Sequence, residues 1–103
     1  MTKYHAKRTE IDGIKFASKK EANRYQELKL MEKAGAIHDL QMQVPFPLIK
    51  KSSYGREIKY YADFVYYEGD RMIVEDTKGF RTDVYKLKKR LMAEIYGIEI
   101  KET

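Results

Sequence analysis

The stretch ADFVYYEGDRMIVEDTKGF, from Ala62 to Phe80, sets Asp63, Glu75, Asp76 and Lys78 among residues that otherwise read as two strands of a sheet. The EGD tripeptide between the two apolar runs is the signal of a tight hairpin. A turn at Gly69-Asp70 places Asp63 directly opposite Asp76, and a turn at Glu68-Gly69 places it diagonally, so either two-residue turn keeps both carboxylates on one face. Only an odd loop substitutes Glu75. Lys78, two residues beyond Asp76, points the same way, whereas Glu75 points to the other face. Two carboxylates about 5 Å apart repel by roughly 3 kcal/mol at an effective dielectric near 20. A divalent cation offsets that, and hard oxygen ligands with retained waters describe a magnesium site. The alternative is a metal-free cluster in which Lys78 neutralises the pair or one aspartate stays protonated.

A third carboxylate comes from the helix predicted over SKKEANRYQELKLMEKAG, with Ser18 as N-cap and Gly35 past its end. Glu21, Tyr25, Leu28 and Glu32 share one side of it, with Ala22 adjacent, so Glu21 is aligned with inward-facing residues and available as a further ligand. Its competing role is the capping box with Ser18.

The remaining elements serve to position these groups. Asp12-Gly13 between Ile11 and Ile14 predicts a short opening hairpin over Thr9 to Phe16. Ile37 to Ile49, with Pro45 and Pro47, reads as an edge strand with an irregular end, since proline donates nothing to a ladder. Lys50 to Arg56, KKSSYGR, is a basic, exposed and mobile loop, and Glu57 to Tyr67 and Arg71 to Lys78 are strands at the centre of the sheet, apolar on both faces. TDVYKLKKRLMAEIYG is a second helix, capped at Thr82 or Asp83 and stopped at Gly97, with Val84, Leu87, Leu91 and Ile95 as its inward stripe. IEIKE closes with a short strand. The expectation is a single α/β domain over residues 1–103, ordered αβββαβ behind its hairpin, with a mixed sheet flanked by helices.

With 21 Lys and Arg against 16 Asp and Glu, the chain carries +5, which favours a polyanionic partner. The absence of cysteine excludes disulfides and thiolate zinc sites and suits a reducing cytoplasm. The basic N-terminus leads into no apolar segment, and no run approaches the ~20 apolar residues of a membrane span, so a cytoplasmic protein with no membrane partner is expected. His5 and His38 lie too far apart for a histidine metal site. Gln41 and Gln43 read as ordinary strand polar residues able to touch a phosphate or a water.

Glu21, then Asp63, then Asp76-Thr77-Lys78, in the order helix, strand, turn, strand, resembles the PD-(D/E)XK nuclease superfamily, whose restriction-endonuclease-like core is αβββαβ. The short basic layout resembles archaeal Holliday-junction resolvases and transposon end-cleaving nucleases of the TnsA type. DGIKFASKKEANRY, YADF and VEDTKGFRTDVYKLKK are similar to a family of small phage and prophage proteins. One departure is Ala62, where the superfamily's name has proline. The resemblance implies that Asp63 and Asp76 hold Mg²⁺, or Mn²⁺, with the Thr77 carbonyl and Glu21 completing the site, and that Lys78 orients the attacking water in phosphodiester hydrolysis. DNA, branched DNA included, is the implied partner, gripped by Arg81, Lys86, Lys88, Lys89 and Arg90, with Tyr85 as a stacking residue. Lys86, Lys89 and Arg90 fall on the side of the second helix away from its apolar stripe, and Lys88 nearer to it. A homodimer fits two cuts on a symmetric junction. The readings set against this are a catalytically silent nucleic-acid-binding module of a phage replication or packaging complex, and a protein-interaction factor with a basic surface.

Overall fold

The computed structural model describes residues 9–78 and 80–103; His5 lies outside them. Strands β1 (Thr9–Ile11) and β2 (Ile14–Phe16) form the opening hairpin, turning through Asp12 and Gly13, both at positive φ as the mirror-image turn requires. Helix α1 (Lys19–Lys33) begins at Ser18, whose side chain accepts the Glu21 N–H. Strands β3 (His38–Ile49), β4 (Ile58–Glu68) and β5 (Arg71–Asp76) follow, then helix α2 (Asp83–Tyr96), capped by the Thr82 side chain and closed by left-handed Gly97, then β6 (Lys101–Glu102). The four-stranded sheet has the order β3-β4-β5-β6, antiparallel except for β6, which α2 returns parallel to β5. The expected αβββαβ order and mixed sheet are present, with β3 on an edge.

The β4–β5 turn is Gly69-Asp70: Glu68 pairs with Arg71 and Phe64 with Glu75, and one further step in that register sets Asp63 against Asp76. β5 ends at Asp76 rather than at Lys78. The β4–β5 ladder stops there because the Asp63 carboxylate takes the Thr77 N–H at 2.8 Å, while on the other edge the Asp76 carbonyl extends the pairing with β6 by accepting from Thr103 N at 3.1 Å.

The sheet separates two cores. On the α1 side, Phe64, Tyr66 and Ile73 pack with Phe16, Ala22, Tyr25, Leu28 and Ile37. On the α2 side, Tyr60, Ala62, Val65 and Val74 pack with Tyr85, Met92 and Ile100. Alternation along a regular strand keeps even residues on one face, yet Tyr60 and Ala62 face α2 while Phe64 and Tyr66 face α1. β3 reverses at the same level: Met42 packs against the α1 core and Val44 against the α2 core. The pairing does not shift across this point, since Met42 opposes Phe64 and Val44 opposes Ala62. The reversal falls at Gln43, in the left-handed region at φ 52, opposite Asp63. A non-glycine residue there is uncommon and strained by about 1 kcal/mol or more. The pleat therefore reverses where the candidate carboxylate sits.

The stripe expected on α2 is not the one that packs. Tyr85 and Met92 are the buried residues, while Val84, Leu87 and Ile95 are 63%, 59% and 48% exposed and Leu91 is half-buried. The helix is turned by about one residue from the apolar count, because a tyrosine buries a large ring while its hydroxyl finds Glu102 at 2.7 Å. Lys50 to Arg56 is exposed as expected, but it is a two-residue turn closed by paired hydrogen bonds between Ser52 and Gly55 rather than a loose segment.

Candidate active site

Glu21, Asp63, Asp76 and Lys78 come together at the level of the pleat reversal. Asp63 is held from two directions: its Oδ2 accepts the Thr77 N–H at 2.8 Å and its Oδ1 accepts from Gln43 Nε2 at 3.3 Å. The same Gln43 amide donates to Glu21 Oε2 at 3.3 Å, so one side chain from β3 ties the helix carboxylate to the strand carboxylate. The left-handed backbone at Gln43 and this bridging position occur at a single residue. Asp76 is 1% exposed; its Oδ2 accepts the Tyr60 hydroxyl, and its Oδ1 lies 3.2 Å from Lys78 Nζ without a properly directed hydrogen bond from any partner among the described residues. Lys78 Nζ also stands 4.8 Å from the centre of the Tyr85 ring, a cation–π contact, and Lys20 Nζ donates to the Lys78 carbonyl at 3.2 Å. Glu21 turns to Gln43 while its backbone N–H, not its carboxylate, serves the Ser18 cap.

Burial and neighbouring negative charge act on Asp63 and Glu21 in the same sense. Asp63 is pushed up to about 7, first by burial, with the Thr77 N–H opposing and the charges of Asp76 and Glu21 adding to the rise. Glu21 is raised by burial, with the Gln43 amide opposing and Asp76 adding a smaller upward push. The cluster thus holds more negative charge than its surroundings satisfy, and a proton or a cation relieves it.

Glu75 has the contrasting environment. It is fully buried on the α1 face, receives both Nε (2.8 Å) and Nη2 (2.6 Å) of Arg24, and accepts the Tyr66 hydroxyl. All its demand is met within the fold.

The six positively charged or aromatic positions expected to meet nucleic acid divide. Arg81, Lys89 and Tyr85 converge on Glu102, at 2.7–2.8 Å for Arg81, 3.2 Å for Lys89 and 2.7 Å for the Tyr85 hydroxyl, which pulls the Glu102 carboxyl down to about 2, chiefly through Arg81. Lys89 therefore lies toward the sheet and not on the outer side. Lys86 and Arg90 are exposed, with no acidic side chain in ion-pair reach among the described residues. Lys88 lines a shallow cavity of about 370 Å³ with Glu57, Ile58, Lys59 and Tyr61, away from the carboxylates. His38 contacts Asp39 and the Gly69 carbonyl at the other end of β3, apart from the site, and Gln41 is exposed opposite Val65.

Gln43 and Tyr60 were not legible as partners of this cluster. Each meets it through a contact of long sequence separation, and a tyrosine in a strand of tyrosines carries no distinguishing signal.

Over its full length, residues 1–103, the chain matches a family described as protein of unknown function (DUF1064). The chain belongs to that family. No curated protein and no solved structure matches it. Among the described residues no helix is long and apolar enough to cross a membrane.

Proposed function

We propose that this protein is a divalent-metal-dependent nuclease that hydrolyses phosphodiester bonds in DNA, with Asp63, Asp76, Glu21 and Lys78 as its active site. The observation that carries this reading is the buried Asp76 Oδ1, left without a directed hydrogen bond beside Asp63 and Lys78. Among the described residues no group of three His, Cys, Asp or Glu side chains is gathered tightly enough to enclose an ion by itself. The donor set nevertheless suits Mg²⁺ or Mn²⁺, which commonly take one or two protein carboxylates and fill the remaining positions with water and substrate oxygens. In this reading Asp63 and Asp76 hold the cation, and Glu21 and the Thr77 carbonyl supplement them.

A cation there supplies charge neutralisation at the scissile phosphate and a water of lowered pKa. The chain's own residues do the rest. Gln43 spaces Glu21 from Asp63. The Thr77 N–H aims the Asp63 carboxylate, and Tyr60 fixes one oxygen of Asp76 so that the other stays available. Lys78, kept near Asp76 by charge and by the Tyr85 ring, orients the attacking water and steadies negative charge on the phosphate. Lys86 and Arg90, with the net charge of +5, draw the DNA backbone toward the site.

The test is nicking of supercoiled, linear and four-way-junction DNA with and without Mg²⁺. Wild type cuts only with the metal, and Asp63→Asn, Asp76→Asn and Lys78→Ala each fall by about 100-fold or more. Equal cutting by all four proteins rejects the site; binding by all with cutting by none leaves a nucleic-acid-binding module.

A further inference from the structure

The tip of the β3–β4 hairpin has a construction that the catalytic cluster does not use. Ser52 and Gly55 exchange two backbone hydrogen bonds at 3.0 and 3.2 Å, and Ser52 Oγ accepts the Tyr54 N–H at 3.1 Å. These three bonds set the turn and hold Tyr54 at its apex, where it is 99% exposed. Lys50, Lys51 and Arg56 flank it, and KKSSYGR contains no acidic residue. Among the described residues none of these three cations has an ion-pair partner, the nearest pair being Lys59 with Glu57.

Folding gains little from a large aromatic ring in full solvent, and the hydrogen-bonded turn leaves that ring, with cations that have no ion-pair partner among the described residues, open to a ligand outside the chain. The cations select a polyanion. The ring selects what on that polyanion is contacted: in continuous duplex the base faces are stacked on one another and only edges line the grooves, whereas an unpaired base offers its whole face to an aromatic side chain.

We propose that the Lys50–Arg56 turn is a second nucleic-acid contact, in which Tyr54 stacks on an unpaired or unstacked base while Lys50, Lys51 and Arg56 hold the adjoining phosphates. The proposal rests on the nucleic-acid reading above and sharpens it: the substrate is DNA interrupted by unpaired bases, as at a flap or bubble. Tyr54 lies nine residues before Asp63, so at about 3.4 Å per residue the apex stands at most roughly 30 Å from the catalytic cluster. At about 3.4 Å per nucleotide that places cleavage within roughly nine nucleotides of the stacked base.

The chain has no tryptophan, so Tyr54→Trp installs a single fluorescent reporter at the apex. Because the position is fully exposed, this variant and Tyr54→Ala should melt within a few degrees of wild type, which circular dichroism checks. Full-length protein in chelator is titrated with continuous duplex, single strand and a duplex bearing a central bubble, all of equal length, and with anionic phospholipid vesicles. The expected result is quenching that saturates with single strand and bubble but not with duplex, and an affinity of Tyr54→Ala for the bubble at least ~10-fold weaker with duplex binding within twofold. Replacing Lys50, Lys51 and Arg56 together by alanine should lower the slope of log affinity on log salt by about two for single strand. Quenching equal in duplex and bubble overturns the unpaired-base assignment. No quenching by any DNA that the protein binds, or quenching by vesicles alone, overturns the contact. Intact quenching in a protein that never cuts DNA leaves the contact standing and removes the nuclease; no DNA binding at all removes both.

Discussion

Glu75 and Asp76 are neighbours in sequence, both buried, and opposite in character. Glu75 faces α1 and meets a bidentate arginine and a tyrosine hydroxyl, the full complement a buried carboxylate needs. Asp76 faces α2 with one oxygen bonded to Tyr60 and the other left beside Lys78 without a directed bond. The first arrangement is what a fold needs in order to bury a charge; the second leaves a charge for something else to complete. Burial alone does not distinguish these two carboxylates, and the count of satisfied lone pairs does.

The largest expected effect is on activity. Asp76→Asn should reduce metal-dependent nicking by about 100-fold or more while leaving Tm unchanged or raised, because it removes an incompletely satisfied charge and keeps an acceptor for Tyr60. The next is on stability. Arg24→Ala should cost about 3–5 kcal/mol by stranding Glu75 in the core, measured by urea denaturation. The joint replacement Arg24→Met with Glu75→Gln should recover most of that loss, since the charges leave together and Tyr66 keeps a partner. A comparable effect of Asp76→Asn on stability would erase the contrast between the two carboxylates.

The two stripes of α2 offer the same contrast among apolar residues. Met92→Ala should cost about 2–4 kcal/mol, and Leu87→Ala less than about 0.5 kcal/mol, since the former opens a cavity and the latter removes atoms already in water.

A smaller effect follows from Asp63, raised from an ordinary 3.8 to about 7. The folded state then binds this proton more tightly than the unfolded chain, so the associated stability is full below pH ~4 and is lost as pH rises through about 7. Thermal melts in chelator should show Tm falling over that window, on the order of 5 °C at least. Asp63→Asn should flatten the fall, and Mg²⁺ should restore Tm most on the alkaline side, where the carboxylate is free of its proton.

What could be read from the sequence was whatever local chemistry determines. Gly69-Asp70 fixes the β4–β5 register, and with it the opposition of Asp63 and Asp76. Ser18, Thr82, Gly35 and Gly97 bound the helices because caps and left-handed stops are properties of single positions. The packed face of α2 was not legible, because an apolar count favours Val84, Leu87 and Ile95 while Tyr85 and Met92 bury more surface against the sheet. Nor was the role of Gln43. Its positive φ, the reversal of the pleat and its two carboxylate contacts exist only when β3, β4 and α1 are assembled, and no residue type at that position announces them. The Asp63–Asp76–Lys78 side of the site was local; the Gln43 and Tyr60 side was tertiary.

In the proposed reading the Asp76 side of the sheet, and not the Glu75 side, holds a cation. Calorimetric titration of Mn²⁺ into the full-length protein at pH 8 tests it directly. Binding should be present in wild type and in the joint Arg24→Met, Glu75→Gln variant, and absent in folded Asp76→Asn. No binding to wild type, or binding that survives in Asp76→Asn and disappears in the joint variant, would rule out a cation site at Asp76.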